Sequence, residues 1–262
     1  MLTVAQRYHF DSNGFVVVPS VLSPDDVSAT REVLDRMLSD PDLEDHGARI
    51  RSKEDGYTHF GPMIEYDRVL LDMAAHAEVV HIAEDLVGGA VRLEETEAIV
   101  NSKAAEPESA DSAARRYAPR GFHRGIEPTM SHFVRDGRLH YLWVKALILL
   151  SNVGPNDGGT LMVRGSHRLP QTSDNVAQWW DESHVAQAEG PAGSVLFMSE
   201  ATIHSTARIR SDKTRYVLIN GYTPPWTQTW PGYEPSDEFV ARQTPEIRAL
   251  LLGEPRYNWG VR

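Results

Sequence analysis

The sequence predicts a mainly β fold with flanking helices: an antiparallel sandwich or jelly roll with N-terminal helices packed outside it. Three observations carry that expectation. Helical patterns gather in the first third of the chain, short β-type runs crowd residues 141–223, and turn segments such as GPNDGG (154–159) and GPAG (190–193) separate those runs.

GFVVVP (14–19) is a β-branched run opened by Gly and closed by Pro, and predicts a strand. Ser23-Pro24-Asp25-Asp26 supplies an N-cap, a proline at the first helical position and two acids in the first turn. Val27, Val33, Leu34, Met37 and Leu38 then share one helical face as far as Ser39. Residues 40–62 mix Gly, Pro and charge, and read as loop. Helices follow over 65–74 and 77–87, the second stopped by Gly88-Gly89. Residues 91–103 read as extended and 104–120 as an exposed loop. Strands are expected within 141–151, 159–165, 193–199, 201–209 and 215–223, and a short helix over 245–253. The chain, 1–262, is expected to form one domain: a mainly helical part (1–90), a jelly-roll core (91–235) and a tail (236–262).

Composition narrows the function. Apolar residues make up 41% and charged residues 24%, as in a soluble globular protein. The net charge of −11 argues against polymeric nucleic acid and anionic membranes as partners, while leaving room for a small anionic substrate in a local basic pocket. The absence of cysteine excludes disulfides, thiolate nucleophiles and Fe–S clusters, so a metal site must use His, carboxylate and water. The opening MLTVAQRYHFDSNG lacks a signal pattern, and no apolar run approaches the ~20 residues of a membrane span. A soluble cytoplasmic protein is expected.

Of the eleven histidines, His9, His46, His59, His76 and His81 read as ordinary, and His167 as part of a turn. His123, where the 104–120 loop meets the β region, and His204, inside ATIHSTARI, can converge at the mouth of a jelly roll. Two histidines and a carboxylate are the usual protein ligands of non-haem Fe(II). Arg215 lies eleven residues after His204, so a hairpin returns it towards the same opening, where its guanidinium could hold a carboxylate. Thr206 points the same way as His204 on a strand. Pairing of Arg215 with Asp212 is an equal alternative on spacing alone.

SNVGPNDGGTLMVRGSHRLP and GPAGSVLFMSEATIHSTARIRSDKTRYVLINGYTPP, together with the opening GFVVVPSVLSPDDVSATREVLDRML, resemble the phytanoyl-CoA dioxygenase family of Fe(II)/2-oxoglutarate oxygenases. The resemblance implies a double-stranded β-helix (jelly-roll, cupin-like) core. It also implies iron held by His123 and His204, and 2-oxoglutarate held by Arg215 and Thr206. One departure stands out. The family has His-x-Asp, whereas this chain has His123-Arg124-Gly125. Gly125 removes a ligand and leaves a space that suits a halide. The same change marks the related halogenases. Glu127 is the rival ligand.

The resemblance therefore implies a halogenase that uses Fe(II), 2-oxoglutarate, chloride and O₂ to chlorinate an unactivated aliphatic C–H bond. Arg115, Arg116, Arg120 and Arg124 suggest a clamp for an anionic small molecule, with the tryptophans 143, 179, 180, 226 and 230 as a stacking wall. A nucleotide suits both features, and the resemblance to the halogenases implies one such as a deoxyadenosine monophosphate. A hydroxylase of a small metabolite is the alternative, and a non-catalytic jelly-roll binding protein the distant one.

Overall fold

The computed structural model describes residues 1–170 and 182–253. The chain opens with α1 (Val4–Asn13), which the sequence reading had not anticipated. A reciprocal capping box starts it: Thr3 accepts from the Gln6 backbone while the Gln6 side chain accepts from the Thr3 backbone. Gly14 ends it at φ +88°, a left-handed turn in which a Cβ would lie 2.5 Å from Thr202 Oγ1. The chain then enters β1 (Phe15–Val18) and α2 (Pro24–Ser39), capped by Ser23 as the motif predicts. Residues 40–62, expected as loop, contain the hairpin β2 (Ile50–Glu54) and β3 (Tyr57–Phe60). Next come α3 (Arg68–Ala74), α4 (Ala77–Val87) and β4 (Arg92–Asn101). The 104–120 segment, expected as an exposed loop, carries the single turn α5 (Ala110–Ala113), but its end is tied down, with Tyr117 and Ala118 buried and Pro119 bridged to Ala207.

The remaining elements are mostly strands. They are β5 (His132–Arg135), β6 (Arg138–Tyr141), β7 (Val144–Leu149), β8 (Thr160–Val163), β9 (Val185–Gln187), β10 (Val195–Ser199), β11 (His204–Thr206) and β12 (Arg215–Thr223). Two helices, α6 (Asp237–Ala241) and α7 (Pro245–Leu252), follow.

Seven strands form one antiparallel sheet in the order β1-β10-β7-β12-β4-β3-β2. A smaller sheet runs β11-β8-β9, and β5-β6 is a separate hairpin. The fold is thus mixed α/β: antiparallel sheets with flanking helices, rather than mainly β. Among the described residues the two sheets do not close into a barrel. The first 90 residues are not simply a helical annex either, since β1 and the β2–β3 hairpin supply both margins of the large sheet.

The strands β10, β7, β12 and β4 of the large sheet are buried on both faces, so their residues alternate between two cores. Val195, Phe197, Ala146, Ile148, Ala98 and Leu218 pack with the helices. Leu196, Met198, Leu147, Leu149, Ile99, Val217 and Ile219 pack with Met162 of the small sheet. Period two places Glu95, Glu97, Lys145 and Arg215 in register with this second, inter-sheet set. No described helix is long and apolar enough to cross a membrane.

Candidate active site

His123 and His204 face each other across an antiparallel bridge. The His123 backbone N–H donates to the His204 carbonyl at 2.9 Å, and the return bond is 2.8 Å. This pairing sets the ring centroids 4.3 Å apart. Each Nδ1 lies within hydrogen-bond distance of a carbonyl two residues upstream: His123 of Gly121 at 3.2 Å, and His204 of Thr202 at 2.8 Å. A carbonyl can only accept, so both Nδ1 atoms carry the proton and both Nε2 lone pairs are free. Burial drives the His204 pKa well below the usual histidine range, helped by the neighbouring His123. His123 opens onto a cavity, yet the surrounding protein still lowers its pKa by desolvation. Two neutral imidazoles are therefore available as metal ligands.

A cavity of about 240 Å³ lies between the sheets, lined by His123, His204, Thr206, Arg215 and the apolar Leu147 and Ile219. Arg215 is almost wholly buried, at 1% exposure. It donates to Thr160 Oγ1 at 3.0 Å and Asn101 Oδ1 at 3.5 Å, and its Nε has no partner. Asp212, the carboxylate that spacing offered it, instead meets Lys103 at 3.5 Å. Burial brings the Arg215 pKa down to about 10, which leaves it charged at neutral pH. A buried guanidinium facing a cavity without a carboxylate partner among the described residues suits an anionic ligand.

A larger cavity, about 660 Å³, adjoins the first and shares His59, Glu97, His123 and Lys145 with it. Its wall includes Gly125, Glu95, Glu200, Arg51, Trp230 and Tyr233. Glu95, Gly221 and Lys145 fall on one row across β4, β12 and β7. Gly221, with no side chain, lets Lys145 reach across β12 to pair with Glu95; a Cβ there would lie 2.9 Å from Glu95 Cγ. Lys145 also meets Glu200 at 3.3 Å. Burial opposes its charge, but the fields of Glu200 and Glu95 outweigh that and hold Lys145 well above the usual lysine range. Burial pushes Glu200 up to about 7 against the pull of Lys145. Glu97 accepts from Arg51, Tyr233 and His59, the last at 2.9 Å. Although burial opposes it, the His59 contact and Lys145 keep Glu97 well below the usual carboxylate range.

These residues correct several sequence expectations. The space beside Gly125 is filled, because a Cβ there would lie 2.0 Å from Glu200 Oε1. Glu127 is not the rival ligand: it is exposed, precedes the 3₁₀ turn Pro128–Met130 and lines neither cavity. The four arginines do not converge on the cavities. Arg120 pairs with Glu54 and lies 4.2 Å over the Tyr57 ring. Arg116 sits 5.0 Å over Tyr117, Arg124 donates to the Leu169 carbonyl at 3.1 Å, and Arg115 is exposed. Of the tryptophans, Trp230 lines the larger cavity; Trp179 and Trp180 lie outside the described residues. His59, read as ordinary, lines both cavities. The missed acids had one sequence signal: Glu95, Glu97 and Ile99 share a period-two face on β4.

The family profile Phytanoyl-CoA dioxygenase (PhyH) matches residues 10–217. The chain belongs to the phytanoyl-CoA dioxygenase family. That makes it a member of a class of non-haem Fe(II)/2-oxoglutarate-dependent oxidoreductases. This phytanoyl-CoA dioxygenase family member is 23% identical over 221 residues to the ectoine dioxygenase of Stutzerimonas stutzeri (strain A1501), spanning 75% of this chain and 68% of that one. Its fold is similar to that of HygX from Streptomyces hygroscopicus, solved with nickel, 2-oxoglutarate and hygromycin B bound. The TM-score is 0.69 at 22% identity, over 90% of this chain and 94% of that one. It is also similar to SnoN, a non-haem α-ketoglutarate-dependent epimerase from nogalamycin biosynthesis, with a TM-score of 0.63 at 18% identity, over 84% and 79% of the two chains.

Proposed function

We propose that this protein is an Fe(II)/2-oxoglutarate-dependent oxidoreductase that modifies a small, polar, natural-product-like molecule. One observation carries the reading: a buried, carboxylate-free Arg215 shares a cavity with two histidines whose Nε2 atoms are free. The residues fit the implied groups. His123 and His204 would hold iron, and Arg215 with Thr206 would hold the far carboxylate of 2-oxoglutarate. When bound, these groups supply the oxidising power, O₂ being reduced as 2-oxoglutarate is decarboxylated to succinate and CO₂. The protein keeps both imidazoles neutral, keeps Arg215 charged and lines the co-substrate chamber with Leu147 and Ile219, which exclude water. The two-sheet frame supports the jelly-roll reading of the core.

The larger cavity supports a neutral or cationic substrate rather than a nucleotide. Its cations are already engaged, Arg51 by Glu97 and Lys145 by Glu95 and Glu200. Carboxylate oxygens remain to receive hydroxyl or amine donors, beside the rings of Trp230 and Tyr233. The relatives with hygromycin B bound or from nogalamycin biosynthesis support a natural-product-like substrate.

The missing Asp of His-x-Asp favours a second reading, chlorination. A chloride beside Gly125 would have to displace Glu200 and sit close to Glu95, and both points support ranking this reading second. Anaerobic loading with Fe(II) and 2-oxoglutarate, with the charge-transfer band recorded with and without chloride, separates the two. A band that ignores chloride, followed by succinate once O₂ is admitted, is expected. A saturable chloride-dependent shift would put chlorination first. No band and no succinate would remove the iron reading.

A further inference from the structure

We infer that Glu200 supplies, from the far side of the site, the metal-binding carboxylate that Gly125 lacks. The inference rests on the iron reading of His123 and His204. Its first support is position. A Cβ at residue 125 would lie 2.0 Å from Glu200 Oε1. The carboxyl carbon of an aspartate stands one bond, about 1.5 Å, beyond its Cβ. The Glu200 carboxylate therefore lies within the reach that an aspartate carboxylate would have if the chain carried one in place of Gly125. The backbone holds the two residues together, since the Gly125 N–H donates to the Glu200 carbonyl at 3.1 Å.

The second support is an unmet valence. Glu200 is 4% exposed, and its Oε2 has no hydrogen-bond partner. A buried carboxylate oxygen without a donor is costly unless something else satisfies it. Glu200, Gly125 and His123 line the same cavity. As the side chains stand, no three His, Asp or Glu groups among the described residues close on one point. Glu200 must turn part of the way from Lys145 to reach an ion beside the histidines, a movement its three side-chain torsions permit. Lys145 is then the positioning residue, its ammonium 3.3 Å from Glu200 Oε1 and anchoring the carboxylate beside the site until a metal arrives. With Glu200 standing in for the aspartate of His-x-Asp, the site keeps two histidines and one carboxylate, the usual Fe(II) set.

The test is calorimetric titration of the apoprotein with Co(II), with the visible d–d spectrum as a second readout of the ligand set. Glu200→Gln is expected to weaken Co(II) binding at least tenfold and to change the band shape. Gly125→Asp alone collides with Glu200 and is expected to bind poorly. Gly125→Asp combined with Glu200→Ala removes the collision, rebuilds His-x-Asp and is expected to recover affinity to within about threefold of wild type. This double variant keeps the test usable if Glu200→Gln fails to fold. His123→Ala separates the two levels of the argument. If His123→Ala abolishes binding while Glu200→Gln binds like wild type with an unchanged spectrum, Glu200 is no ligand and the inference falls alone. If both bind like wild type, the iron site falls with it.

Discussion

Arg215 bears most of the functional argument at the scale of single residues. A guanidinium at 1% exposure is expensive to bury, and structural arginines in such places are usually paired with a carboxylate. Among the described residues this one is held by a hydroxyl and an amide, Thr160 and Asn101. The geometry makes sense when a dianionic co-substrate supplies the countercharge. Arg215→Met keeps the length and apolar stem while removing charge and fork. It is expected to weaken 2-oxoglutarate binding by roughly 10–100-fold, the worth of a charge-assisted bidentate contact, measured by anaerobic titration of the charge-transfer band. Removing a buried, uncompensated charge should leave the melting temperature unchanged or raise it. A large loss of stability with unchanged 2-oxoglutarate affinity would mean that Arg215 serves the core instead.

At the scale of elements, the decisive arrangement is the row β4–β12–β7. Here Gly221 lets Lys145 span a whole strand to reach Glu95, while Glu200, just past the end of the neighbouring β10, meets the same ammonium. Lys145→Met should cost about 3–5 kcal/mol, because it leaves two carboxylates buried without a counter-ion. The sign of its pH dependence follows. Without Lys145, burial raises both carboxylate pKa values further above their unfolded values. The folded chain then holds more protons than the unfolded chain, and stability falls as pH rises. Urea unfolding should show a smaller deficit at pH 5 than at pH 8; an equal deficit at both would argue that Lys145 contributes packing rather than charge. The same row explains what was legible in the sequence. β1, α2, α4, β4, β7, β8, β10 and β12 announce themselves through caps, periodicity and β-branched runs. The hairpin β2–β3 does not, because IRSKE and YTHF are short and mostly polar, and their pairing with β4 is a tertiary fact. Family motifs pointed to His123, His204, Arg215 and Thr206, which the structure brings to one cavity. Glu200, Lys145, Glu97, His59 and Arg51 were not legible, since their meaning arises only when five separate segments converge.

The whole molecule is acidic, at −11, and it buries acids as well. Glu94 is 2% exposed, and its Oε1 has no partner. Burial, reinforced by Glu95, pushes its pKa up to about 9. His167 lies at the opposite extreme. It is buried beside Arg168, and desolvation lowers it to about 4. The two groups tilt the stability curve in opposite directions. Below about pH 6.5, the unfolded value for histidine, the unfolded chain protonates His167 while the folded chain does not, so acid destabilises. Above about pH 4.5 the folded chain keeps the Glu94 proton that the unfolded chain has lost, so rising pH destabilises. Between these limits the two slopes oppose each other, and of the two only the Glu94 slope remains above about pH 6.5. Net negative charge adds to it through self-repulsion. The protein should therefore be most stable near about pH 5–6.5 and lose on the order of 3 kcal/mol by pH 9. Glu94→Gln fixes the neutral form and should flatten the alkaline limb while leaving the acid limb intact. Thermal melts of both proteins from pH 5 to 9 test this directly. Parallel alkaline limbs would show that Glu94 is ionised in the folded state, and that global charge alone sets the decline.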